Sequence, residues 1–236
     1  MALHNRINGN RIDLIVTDGD RTLIDFKGSE YGSSWDLVGH LYCGKEQWQR
    51  IAKEFKDKIK KSKSHEEQEK IFLEWMLSDV GFFRGKDATP ALTVPIPYTT
   101  GATEYFKEHT AGAKTAIISG GIDVIFERSR KDLGIDYCIT NRLGIGADGR
   151  FDGTLRPEVT LHNKMQKLMQ LKQKLGIDYA NILIIGDSEN DEIPMKFINL
   201  AGGISLAINP TSYEVGRAAN FIITDFTQIR QYTEIS

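Results

Sequence analysis

Carboxylates recur at short spacing in two places of this 236-residue chain. Asp18 and Asp20 flank a glycine and lead into Thr22, and far downstream Gly186-Asp187-Ser188-Glu189-Asn190-Asp191 gathers a second set. Ser119-Gly120-Gly121 closes another apolar run, and Lys164 opens a helical pattern. Carboxylates crowded together repel, and a cation is the natural resolution. Ligation by a few carboxylate oxygens, with room for water and phosphate, is what Mg²⁺ prefers. A serine hydroxyl, glycine-loop N–H groups and a lysine ammonium make a receptor for phosphate oxygens. A carboxylate beside such a receptor can attack phosphorus and form an aspartyl-phosphate. A second carboxylate two residues on can protonate the leaving oxygen and later take a proton from water. Each group alone has a plainer reading. Asp-Gly is a common turn pair, Ser-Gly-Gly caps helices, and Asp191 suits a helix start.

The elements that must position these groups are legible as apolar runs. Residues 12–17 form a short β-branched stretch ending at Asp18, and similar runs occur at 114–119, 182–186, 203–208 and, more briefly, 221–224. Continuous apolar strands of this kind suit a parallel sheet covered on both faces. Helical patterns alternate with them at 102–108, 122–133, 161–175, 190–198 and 212–219. The 161–175 pattern places Leu161, Met165, Leu168, Met169 and Leu175 on one side, with Gly176 as the C-cap. The expectation is an α/β doubly wound parallel sheet, whose sites form at the C-terminal ends of the strands.

Between about Phe26 and Pro97 no strand pattern is found, and helices are expected at 34–43, 45–61 and 65–79. This divides the chain into an α/β core at 1–25 and 98–236 and a helical cap at 26–97. The lysine-rich stretch 53–63 and the acidic run Glu66-Glu67-Gln68-Glu69 read as solvated helix faces.

Thirty Lys+Arg against 32 Asp+Glu leave a net charge of -2, which argues against a nucleic-acid or membrane-surface binder. Apolar runs are far shorter than the roughly 18 residues a membrane span needs, and the N-terminus shows no secretory signal. Cys43 and Cys138 are too few for a disulfide framework or a zinc site. A cytoplasmic protein, monomer or homodimer, is expected. Gly144–Gly149 spells GxGxxG but precedes turn-forming residues, so it reads as a hairpin tip and not a dinucleotide loop. His65-Glu66 lacks the second histidine of a zinc-protease motif, and His4, His40, His109 and His162 are scattered.

Taken together, Asp18-Gly19-Asp20-Arg21-Thr22, Ile117-Ile118-Ser119-Gly120-Gly121, Lys164 and Gly186–Asp191 resemble, in order, the four motifs of the haloacid dehalogenase superfamily. The resemblance spans nearly the whole chain. It implies that Asp18 is nucleophile and Mg²⁺ ligand, and that Asp20 is general acid/base with its backbone carbonyl on the metal. It implies that Thr22, Ser119, Gly120 and Lys164 hold the phosphoryl group, that Asp187 is the other metal carboxylate, and that Asp191 stands behind Lys164 or a metal-bound water. A helical insertion straight after the first motif is similar to the phosphoserine phosphatase-like subclass. The implied activity is Mg²⁺-dependent hydrolysis of a small phosphorylated metabolite through an aspartyl-phosphate on Asp18. The alternatives are phosphoserine phosphatase proper, a phosphotransferase or mutase on the same fold, and a phospho-receiver module, which the long insertion disfavours. Phosphoserine phosphatases carry a glutamate soon after the first motif and an arginine late in the cap. Here Lys27 and Asp79 stand at about those places, with Glu30 and Arg84 displaced nearby.

Overall fold

The computed structural model describes residues 5–7, 9–26, 30–110 and 112–234. Its first strands are β1 (Asn5–Ile7), β2 (Asn10–Ile12) and β3 (Leu14–Thr17), followed by four helices, α1 (Ser34–Cys43), α2 (Lys45–Lys61), α3 (His65–Phe83) and α4 (Thr89–Thr93). Then come α5 (Ala102–Glu108), β4 (Lys114–Ile122), α6 (Asp123–Leu133), β5 (Tyr137–Ile145) and β6 (Phe151–Arg156). The chain closes with α7 (Lys164–Leu175), β7 (Ile182–Gly186), α8 (Glu189–Leu200), β8 (Ile204–Ile208), α9 (Tyr213–Ala218), β9 (Phe221–Ile223) and β10 (Thr233–Glu234). Every residue of β3, β7 and β8 is buried, which explains sequences that are apolar apart from Thr17 and Ser205: helices cover both faces.

The main sheet runs β6-β5-β4-β3-β7-β8-β9, parallel except for the β5–β6 hairpin at its edge. The chain steps from β3 to β4 on one side and later returns to β7 on the other. Strand order therefore reverses beside β3, and the crevice at the strands' C-terminal ends is where α/β sheets bind ligands. Asp18 and Asp187 lie just past those ends, and Ser119 lies in β4 beyond Ile117, its last residue paired with β3.

The α1–α4 insert leaves and rejoins the sheet through adjacent strands of chain, with Asp25 N–H donating to Pro97 O at 2.8 Å and Thr99 N–H to Leu23 O at 3.0 Å. Its interior is aromatic. Trp48 and Phe83 are fully buried, and Phe55 stacks on Trp75 at 4.4 Å between ring centres. Truncating either buried ring to alanine costs about 3–5 kcal/mol. The chain after α3 seats on the hairpin through Gly85 N–H to Phe151 O (2.7 Å) and Ala88 N–H to Gly149 O (3.0 Å).

The structure corrects several expectations. The first apolar run is broken at Asp13, whose N–H and side chain meet Asn181; residues 10–12 pair instead with β1 in a small antiparallel sheet. The run at 114–119 continues extended to Ile122, so Ser119 does not cap α6. The helix expected from 161 begins at Lys164, with Met169 47% exposed and Leu171 buried in its place. Helix α3 runs past Asp79 to Phe83, and α4 lies where only proline punctuation was read. Gly176 caps α7 in the left-handed region at φ 66°. The GxGxxG stretch is the hairpin tip, with Gly146 N–H donating to Arg150 O. The lysines of α2 are exposed, but Glu69 is not a free solvated charge. His4 and Lys27 lie outside the described residues. No described helix is long and apolar enough to cross a membrane.

Candidate active site

Lys164 opens α7 with 3% exposure, and its Nζ lies 2.6 Å from Asp18 Oδ1 and 2.6 Å from Asp191 Oδ1. Such burial of an ammonium is tolerated because two carboxylates flank it. Asp191 reaches this position because it closes a capping box at the start of α8, with Ser188 N–H donating to its Oδ2. Gly186 is required there, since a Cβ would stand 2.3 Å from the Asp191 carboxyl carbon. The carboxylate oxygens of Asp18, Asp187 and Asp191 lie within 4.8 Å of one another, all buried. Sequence reasoning placed Asp191 behind the lysine, and the structure brings it directly onto the ammonium.

Asp20 points elsewhere. Its carboxylate accepts the Ser34 N–H at 2.7 Å and the Ser34 hydroxyl at 3.0 Å, at the first turn of α1. Ser119 is buried, and Gly19 allows its close approach: a Cβ on Gly19 would meet the Phe126 ring at 2.3 Å and Ser119 Oγ at 2.8 Å. The Gly120 carbonyl accepts from Trp35 Nε1 (3.0 Å) and Asn141 Nδ2 (2.7 Å). Thr22, fully buried, donates its hydroxyl to Asp187 Oδ1 at 3.1 Å and so braces a carboxylate of the cluster.

Four residues escaped the sequence reading. Ser34 holds Asp20, and Trp35 holds Gly120. Asn141, wholly buried, ties Gly120 O and Val159 O through its amide nitrogen and accepts from Glu158 and Val159 N–H through its oxygen. It thus links the serine–glycine strand end to the segment approaching Lys164. Arg21, in the left-handed region at φ 63°, brings Nε to 3.1 Å from Asp187 Oδ2. Single residues without a spacing pattern leave no sequence signal; only the Ser33-Ser34 helix start was available as a hint for Ser34.

Burial governs the electrostatics. It raises the Asp18 carboxyl; Lys164 opposes and the Asp191 charge reinforces the rise. Asp20 is pushed up to about 7 by burial and by Asp18, against the two Ser34 hydrogen bonds. Asp187 is raised by burial and by Asp18, with Arg21 opposing. Burial works to lower the Lys164 ammonium, but Asp18 and Asp191 outweigh it and hold it above the ordinary lysine range. Three buried carboxylates thus share one enclosed ammonium and a half-exposed guanidinium. Asp187 Oδ2 still has no hydrogen bond, because the Arg21 pair lacks the geometry for one. This orphaned oxygen, within an all-oxygen donor set, fits a hard divalent cation such as Mg²⁺.

Several known proteins are similar to this chain. Phosphoserine phosphatase of Methanocaldococcus jannaschii is 35% identical over 95 residues, 39% of this chain and 44% of that protein. That of Lactococcus lactis is 30% identical over 139 residues, covering 56% and 62%. That of Archaeoglobus fulgidus is 29% identical over 116 residues, covering 48% and 32%. The chain therefore spans about half the length of the curated relatives it matches. Among solved structures, a substrate-bound phosphoserine phosphatase complex aligns with TM-score 0.71 at 24% identity, covering 94% of this chain and 99% of the other. A HAD family hydrolase from Salmonella enterica serovar Typhi aligns with TM-score 0.74 at 23% identity, covering 94% and 70%. At these identities the likeness is one of fold. Residues 15–195 match the haloacid dehalogenase-like hydrolase family itself, with Asp18, Ser119, Lys164 and Asp187 inside the matched span, and the chain belongs to that family.

Proposed function

We propose that this protein is a Mg²⁺-dependent phosphatase that hydrolyses a small phosphate monoester through an aspartyl-phosphate on Asp18. The observation that carries the reading is the buried cluster in which Lys164 bridges Asp18 and Asp191 while Asp187 converges on the same point. Asp18, Asp187 and the Asp20 carbonyl would hold the cation, which supplies the positive charge that lets a carboxylate approach an anionic phosphate. The Asp18 carboxylate attacks phosphorus, with Lys164, Ser119 and the Gly120 N–H holding the phosphoryl oxygens. The leaving alkoxide takes its proton from Asp20, whose elevated pKa of about 7 keeps protonated and ionised forms both accessible near neutrality. Asp20, now ionised, accepts a proton from water as that water attacks the aspartyl-phosphate, releasing phosphate and restoring Asp18. Residues 26–97 serve as a cap over this site, linked to it by the Ser34–Asp20 and Trp35–Gly120 contacts.

A second reading, phosphoserine phosphatase, is favoured by the names of the relatives. The test is phosphate release with Mg²⁺ over a panel of metabolite esters including L-phosphoserine, with products analysed in the presence of alcohol acceptors. Release from no ester would overturn the proposal, and transfer to the acceptor instead of water would make the protein a phosphotransferase.

A further inference from the structure

One contact between the insert and the sheet domain is not explained by the chemistry above. Glu69, in the first turns of α3, lies against the loop that precedes Lys164. Its Oε1 accepts from the Thr160 hydroxyl at 2.9 Å and from the His162 N–H at 2.7 Å. Beside it Gln68 Oε1 meets His162 Nε2 at 3.0 Å, and the His65 and His162 rings stack with centres 4.2 Å apart. The loop is short and closed on itself, since Thr160 N–H donates to Asn163 Oδ1 at 2.8 Å. Lys164 follows at once. From Thr160 to the ammonium that grips Asp18 and Asp191 there is a single turn of chain.

We infer that Glu69 is a positioning residue, coupling the seating of α3 to the placement of Lys164. One carboxylate oxygen receiving two donors from consecutive parts of the loop fixes both the height and the rotation of the start of α7, and charge-assisted hydrogen bonds of this kind are the stronger ones. The chain beyond the other end of α3 is held separately, by Gly85 and Ala88 against the hairpin. Losing Glu69 therefore loosens only the end nearest the lysine, where Gln68 and His65 still meet the exposed His162 ring. The contact is also a poor candidate for a purely structural role. Glu69 is half-buried and His162 exposed, so water can take over the released donors and little stability is at stake. Displacing a reacting group by about 1 Å, by contrast, can cost about a hundredfold in rate.

The inference rests on the hydrolase reading for its catalytic consequence, so the test pairs a kinetic with a non-kinetic measurement. Glu69→Ala and Glu69→Gln are compared with the wild type using p-nitrophenyl phosphate and Mg²⁺, and by hydrogen–deuterium exchange of the segment 160–164. Glu69→Ala should lose at least about tenfold in kcat with KM changed by less than about threefold. Exchange across 160–164 should quicken several-fold, while the hairpin tip at 146–150 stays as in the wild type. Glu69→Gln keeps an acceptor oxygen and should recover most of the rate and protection. Unchanged kcat in Glu69→Ala, unchanged exchange, or equal losses in both variants would each overturn the inference. A wild type that releases no phosphate would overturn the hydrolase reading instead, and the exchange comparison would still uphold or reject the contact between Glu69 and the loop.

Discussion

Lys164 and Asp18 sit 2.6 Å apart, yet removing one or the other has opposite expected consequences for stability. Without the ammonium, as in Lys164→Met, Asp18 and Asp191 are left buried and unpaired, and the fold should lose about 3–5 kcal/mol in urea denaturation. Asp18→Asn instead removes one of three crowded carboxylates, so the fold should be at least as stable as the wild type. Its turnover should still fall at least roughly a thousandfold, because an amide is neither a competent nucleophile nor a good Mg²⁺ ligand. A purified Asp18→Asn protein with near-wild-type phosphate release would remove Asp18 from the mechanism. Exhaustive chelation should likewise abolish release, with Mg²⁺ restoring it and Ca²⁺, whose oxygen shell is larger and looser, failing to do so. Most of these residues were legible in the sequence because carboxylates, a hydroxyl and a lysine at successive strand ends form a joint pattern. Asn141 was not, since one asparagine in a strand looks like any other until its four side-chain hydrogen bonds are assembled around it.

The strands and helices were legible wherever burial is uniform or strictly periodic. Residues 14–17, 182–186 and 204–208 are buried at every position, and α1 and α2 begin and end where their patterns do. Legibility failed where a tertiary contact overrides the local pattern. Asp13 breaks the first run by binding Asn181, Gly120 and Gly121 stay extended because Trp35 and Asn141 hold that backbone, and Glu69 leaves a solvated run for a distant loop. Asp79 is another such case. It is 1% exposed on α3, its Oδ2 has no hydrogen-bond partner, and burial pushes its carboxyl up to about 7. A raised carboxyl pKa means that the folded state holds its proton more tightly than the unfolded chain. The stability this represents is complete below the ordinary 3.8 and is lost as pH rises to about 7. Asp79→Asn carries no such penalty. Its stability relative to wild type should therefore grow between pH 4 and pH 8 by about 2 kcal/mol, bounded near 4 kcal/mol by a shift of this size. Parallel denaturation curves for the two proteins at those pH values would reject the assignment if their difference stayed constant.

On the proposed function, selectivity belongs to the whole molecule, because the sheet would hold the phosphate and the insert would recognise the rest of a substrate. L-phosphoserine carries an ammonium and a carboxylate beyond its phosphate, so a pocket specific for it should offer an anion and a cation converging near the phosphate site. Glu30 has an ion-pair partner of its own, and Arg84 packs on the hairpin. Glu30 is exposed and pairs with Lys45 at the start of α2, at 2.5 Å. Arg84 ends α3 and lies along the hairpin, its side chain so close to Gly153 that a Cβ there would meet Arg84 Cδ at 2.9 Å. Asp79, at about the place of the expected arginine, is buried inside the insert. The space beside Asp187 is a cavity of about 200 Å³ lined also by Arg21, Asp25, Phe26, Tyr31, Asn209 and Thr211, so a guanidinium, two carboxylates and two aromatic rings border it. Such a lining offers both charges beside the site, so the expected weak preference rests on Glu30 and Arg84 meeting other groups. The expected outcome is that kcat/KM for L-phosphoserine exceeds that for sugar, glycerol and nucleotide monophosphates by less than about a hundredfold, about 2.7 kcal/mol of differential transition-state binding. A larger preference would mean that the insert closes in solution to bring Glu30 and Arg84 together. Glu30→Gln and Arg84→Met should then each erase that preference while sparing turnover of p-nitrophenyl phosphate.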